Sequence, residues 1–158
     1  VLNLIMSAEI PTMDSALTTD SVGFDLLNNV NEGLYRLNQE NVAVPAIADG
    51  EPTISEDGLV YTFKIRDAKW SNGEAVTAGD FEFAWKRAMN PDTASEYGPY
   101  MMGGVIKNAT AISEGTVDFT ELGVKAIDDK TLEVTLEKPV PYFLFGIYDV
   151  SSLFVNEE

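Results

Sequence analysis

The chain has 158 residues, 45% of them hydrophobic and 23% charged, a composition that supports a packed core and argues against disorder. Its 26 acidic residues against 10 basic ones leave a net charge of −16, which repels a phosphate backbone and an anionic membrane surface alike. With neither Cys nor His, it carries no thiolate nucleophile, Ser-His-Asp triad, zinc finger, haem-ligating His or disulfide. Neither a nucleic-acid partner nor a cofactor is expected.

Val1–Ser7 alternates and predicts a short strand. Ala8–Asp20 holds Pro11 and many Ser, Thr and Asp residues, and is read as a loop. Ser21 is the expected N-cap of a helix running to about Asn31, with Phe24, Leu27 and Val30 on one face and Asp25 in the first turn. Gly33 is expected to end it, and Leu34–Leu37 to form a short strand. Asn38–Pro52 is polar and turn-rich and reads as a crossing between subdomains. Thr53–Ser55 and Leu59–Arg66 flank Glu56-Asp57-Gly58, the signal of a hairpin. Leu59, Tyr61, Phe63 and Ile65 should face the core.

Asn72-Gly73 marks a second tight turn. Thr77 is the expected N-cap of a helix over Ala78–Met89, with Asp80 three residues on in a shortened capping box. Phe81, Trp85 and Ala88 form its apolar stripe with Ala84 beside it, and Asn90-Pro91 stops it. Tyr97–Asn108 predicts broken helical turns, and Ala109–Glu114 a short helix. Val124–Ile127 and Thr131–Glu137 predict a second hairpin across Asp128-Asp129-Lys130. Pro141 opens a short helix over Tyr142–Tyr148, and Leu153–Val155 begins another strand.

Motifs for catalysis are absent: there is no GxGxxG, Walker loop, GxSxG or EF-hand loop. Asn108-Ala109-Thr110 is a formal glycosylation sequon that matters only in a eukaryotic secretory protein. A pair among so many acids will meet the separation for glycoside hydrolysis by chance, and Asp128-Asp129 is read as turn chemistry. No carboxylate spacing supports Ca²⁺, and no metal ligand is assigned. Trp85 is read as core and Trp70 as a lid over it; Met101-Met102 is read as packing under glycine-rich turns. Glu32-Gly33-Leu34 is the candidate binding stretch. Gly33 permits close approach of another backbone, and an extended segment beside it offers amide groups to a guest strand. A helix end followed by an ordinary strand is the competing explanation.

Taken together, Asp57–Arg66, Ala68-Lys69-Trp70-Ser71-Asn72-Gly73, Val76–Phe81 and Trp85-Lys86-Arg87 resemble the signature of the family 5 extracellular solute-binding proteins. Asn90-Pro91 with Thr93-Ala94-Ser95, Leu122–Ala126, Thr131–Val134 and Pro139–Phe143 extend the match, as do Glu9–Asp14 and Glu32-Gly33-Leu34. The likeness covers nearly the whole chain and is nearest to the oligopeptide-binding branch.

The resemblance implies an α+β fold: part of a periplasmic-binding-protein-like lobe (type II, cluster C), with antiparallel β-hairpins packed on helices. Residues 1–44 would open lobe I and residues 45–158 would form its appended subdomain, with the second lobe outside this sequence. It also implies a secreted, non-enzymatic receptor that closes two lobes on an oligopeptide and delivers it to the membrane permease subunits of an ABC importer. Glu32, Gly33 and Leu34 would lie at the ligand cleft, whereas Trp70, Asn72 and Asp80 would shape the subdomain. In Gram-positive bacteria such receptors are lipoproteins tethered through a Cys ahead of the mature domain. The opening at Val1 is then expected to reflect processing or trimming. Alternatives are a same-family receptor for a dipeptide, nickel complex, haem or oligosaccharide, a peptide-pheromone sensor, and, more remotely, a carboxylate-dependent glycan hydrolase. Strands left without partners would favour self-association.

Overall fold

The computed structural model describes residues 8–144 and 146. The predicted hairpins form, and they join into one antiparallel sheet. Thr53–Ile54 (β3) turns through Gly58, at φ +70°, into Val60–Lys64 (β4). Val124–Asp128 (β5) turns into Thr131–Thr135 (β6). β6 lies against β4, which gives the order β3-β4-β6-β5. Register puts Tyr61 opposite Val134 and Phe63 opposite Leu132, so the apolar faces of both hairpins coincide. All four side chains are buried. Ile127 lies in β5 as predicted and is exposed, beside a register irregularity between Ala126 and Asp128.

The helix over Ala78–Met89 (here α2, the second in chain order) has the predicted bounds. Asp80 Oδ2 accepts from the Thr77 N–H at 2.8 Å, from the Thr77 hydroxyl at 3.2 Å and from Trp70 Nε1 at 3.2 Å. One carboxylate thus caps the helix and fixes the loop before it. Phe81, Ala84, Trp85 and Ala88 are all buried, as their stripe requires. α2 packs along β5. Its Glu82 accepts from the Ala126 N–H at 2.7 Å, which covers part of that sheet edge. Beyond the Pro91–Thr93 turn, Tyr97–Met102 (α3) and Ala109–Ser113 (α4) form the broken helical region.

Two expectations change near the start. The first helix, α1, is Ser21–Val30, and its N-cap is Asp20, whose carboxylate accepts from the Gly23 N–H at 2.8 Å. Asp and Ser cap equally well, so local sequence did not separate them. The shift places Asp25 beyond the first turn, and of the predicted face only Leu27 is buried while Val30 is 61% exposed. The polar crossing contains a strand, Ala43–Pro45 (β2), paired antiparallel with Tyr35–Leu37 (β1). Strands of three residues are too short to show alternation.

Between the two sheets, Ala46–Ala48 bonds on both sides. The Ile47 N–H donates to the Gly33 carbonyl, and the Ala46 and Ala48 N–H groups to the Leu34 carbonyl. On the other side Ile47 O accepts from the Arg66 N–H, and Ala48 bridges Ile65. A single apolar cluster therefore runs from Ala16, Leu34 and Tyr35 through Phe63 to Trp85 and Leu132. Of the predicted helix over Tyr142–Tyr148, Phe143, Leu144 and Gly146 are helical, with the Gly146 N–H donating to Tyr142 O at 3.1 Å. Tyr142 is in a turn, and positions 145, 147 and 148, with Val1–Ser7 and Leu153–Val155, lie outside the described residues.

Candidate functional site

Glu32, Gly33 and Leu34 follow α1, which ends when the extended Asn31 donates its N–H to Leu27 O at 2.8 Å. The segment then feeds directly into β1. Leu34 is 0% exposed and belongs to the core, so its side chain has no surface to offer a ligand. The carbonyls of Gly33 and Leu34 are engaged by residues 46–48, with N···O distances between 2.9 and 3.1 Å. Gly33 itself is half-buried.

Glu32 is held by two arginines. Its Oε2 lies 2.7 Å from Arg66 Nη2, and its Oε1 lies 3.7 Å from Arg36 Nη1. All three side chains are more than a third exposed, so the cluster is a wet, salt-sensitive one. Arg66 also donates from Nε to the Ala46 carbonyl at 2.5 Å and from Nη1 to Asp67 O at 3.4 Å. Alternation with the core-facing Leu59, Tyr61, Phe63 and Ile65 puts Arg66 on the side expected to face mostly water. No local signal marks it, because its partner Glu32 lies 34 residues earlier in the chain.

The residues read as shaping the fold do so. Asn72 bonds Glu74 within its own turn, accepting from the N–H at 2.9 Å and donating to the carboxylate at 3.1 Å. Trp70 packs partly buried against the core, and Met102 lies inside it. Two surface recesses of about 510 and 480 Å³ lie elsewhere, one beside Phe83 and Phe119, the other beside Tyr100 and Tyr142. Among the described residues, no group of three or more acids is arranged to hold a metal ion. None of their helices is long and apolar enough to cross a membrane.

The model for "bacterial extracellular solute-binding proteins, family 5 Middle" matches residues 42–158, and the chain belongs to that family. The family is one of binding proteins rather than enzymes. The chain is 49% identical over 113 residues to the periplasmic oligopeptide-binding protein OppA of Escherichia coli, a match covering 71% of this chain and 20% of that protein. It is 42% identical over 138 residues to a dipeptide-binding protein of Lactococcus lactis, covering 87% of this chain and 24% of that one. A solved structure, Listeria monocytogenes OppA bound to peptide, superposes with a TM-score of 0.92 at 46% identity, over 99% of this chain and 30% of that one. The chain thus spans a quarter or less of the length of these two sequence relatives.

Proposed function

We propose that this chain is part of the substrate-binding component of an ABC importer, one that captures extracellular oligopeptides and hands them to membrane permease subunits. The observation carrying this reading is the likeness, along almost the whole chain, to a peptide-bound OppA. In this reading residues 1–44 open the first lobe, residues 45–158 form its appended subdomain, and a second lobe completes the receptor. A lipid anchor holds it at the cell surface.

Main-chain hydrogen bonds to an extended guest give affinity that tolerates many sequences. Closure follows because the peptide binds the closed form better than the open one. Glu32, Gly33 and Leu34 border the ligand unequally. The outer edge of Glu32 and the Gly33 backbone face it, and Leu34 anchors the stretch from beneath. The Lactococcus relative favours a second reading, a dipeptide ligand.

Calorimetric titration with peptides of two to nine residues tests both. A receptor of the relatives' full length carrying this segment is expected to bind in the micromolar range or tighter, with the preferred length deciding between the readings. The isolated chain is expected to bind far more weakly, because half the cleft is missing. Micromolar binding by the isolated chain would overturn the two-lobe mechanism.

A further inference from the structure

Arg66 touches both sides of the joint between the two sheets. Its main-chain N–H and Nε bond the carbonyls of Ile47 and Ala46, at 2.9 and 2.5 Å. Its Nη2 continues past that segment to Glu32, at 2.7 Å. The segment it crosses is the one whose N–H groups hold the Gly33 and Leu34 carbonyls. Two kinds of link therefore fix residues 32–34 to the end of β4: a backbone relay through residues 46–48, and one guanidinium spanning that relay.

The backbone relay sets distance but leaves Glu32 free to rotate. The Arg66 guanidinium reaches the carboxylate through Nη2 while its Nε bonds the Ala46 carbonyl, two separate acceptors whose geometry a lysine ammonium does not match. Arg36 approaches the same carboxylate but sits farther off and is 66% exposed, so it is the weaker partner. We infer that Arg66 is a positioning residue for peptide capture, acting through Glu32 to hold the 32–34 stretch in register with the sheet. The inference rests on the proposed peptide-binding reading.

The test uses the full-length receptor and a double-mutant cycle of Arg66→Gln, Glu32→Gln and both together. Peptide affinity is read by calorimetry and amide exchange by mass spectrometry in the unliganded protein. Arg66→Gln is expected to weaken peptide binding about fivefold, as for loss of a half-exposed ion pair. Glu32→Gln should do much the same, and the double variant little more than either alone. Exchange should quicken over residues 32–37 while β6 stays protected.

Glu32→Gln leaves the carbonyl bonds of Arg66 intact, so it keeps the test decisive if Arg66→Gln folds poorly. Unchanged affinity in Glu32→Gln, additive losses in the cycle, or exchange that quickens equally in β6 would each overturn the inference. If the wild-type receptor binds peptide and the variants match it, only this inference falls. If the wild type binds none, the peptide-binding reading falls with it.

Discussion

Asp14 and Arg87 show how one pair of side chains can build a loop that has no regular structure of its own. Arg87 Nη1 donates to Asp14 Oδ1 at 2.8 Å and Nη2 to Oδ2 at 2.5 Å, joining the loop before α1 to the last turn of α2. The same carboxylate accepts from the Ala16 N–H, and the Asp14 carbonyl accepts from the Leu17 and Thr18 N–H groups. The Arg87 guanidinium holds the Asp14 carboxyl below its usual range, against the opposing effect of burial. A carboxyl with a lowered folded pKa stabilises the fold above the unfolded value, about 3.9, and that stability drains away as pH falls through the lower folded value. Asp14→Asn is therefore expected to cost about 1.5–3 kcal/mol at neutral pH, the worth of a hydrogen bond to a charged group. The difference should shrink below about pH 4. Thermal melts at pH 7 and from pH 5 to pH 2 would check this; a constant gap at every pH would refute it. Some acid sensitivity should persist in the variant. Asp57, Asp118 and Asp128 are also held low, by the Ser55 hydroxyl, the Thr120 hydroxyl and the Lys130 N–H respectively.

Between elements, the tightest constraint lies where α3 crosses α2. A Cβ on Gly98 would stand 2.2 Å from the Ala88 carbonyl oxygen, a backbone atom that cannot rotate away. Gly98→Ala should cost about 2–3 kcal/mol, at the upper end for overpacking. Gly79→Ala is the control, because there the added methyl meets only Thr77 Oγ1, at 3.4 Å. Urea midpoints should fall sharply for the first and hold or rise for the second, alanine being the better helix former; equal midpoints would contradict the close crossing. The broken helical turns expected over Tyr97–Asn108 do not reveal what Gly98 makes room for, since a helix crossing is not a local property. The same distinction covers the rest of the fold. β4, α2 and its Asp80 cap were legible because period and capping act within a few residues. The pairing of β4 with β6 and the existence of β2 were not, because both depend on distant partners. Glu32 was singled out on local grounds and by resemblance, while Arg66, which holds it, lies 34 residues further along.

At the scale of the whole molecule, the proposed division at Val44 falls inside β2 and cuts across one core. It is therefore offered as lobe anatomy rather than as two folding units. Tyr35 meets Phe63 edge-on with ring centroids 6.2 Å apart, and its hydroxyl donates to the Gly50 carbonyl at 3.2 Å and the Glu51 carboxylate at 3.3 Å. Burial, together with the Glu51 charge, raises the Tyr35 pKa. Leu34 fills the space beside the same cluster and is wholly buried. A polypeptide of residues 45–158 keeps β4, β6, β5 and α2 but loses both side chains. Each large apolar side chain that is no longer buried forfeits roughly 1.5–3 kcal/mol. The pair alone then removes about 3–6 kcal/mol, a large share of the 5–15 kcal/mol typical of a domain. Residues 45–158 are thus expected to unfold at a markedly lower urea concentration than the full chain, and to bind a hydrophobic dye at the bared Phe63 face. If residues 45–158 instead unfolded at the same midpoint as the whole chain, the core would be divisible at Val44, and the first 44 residues would be an attachment to the fold rather than a part of it.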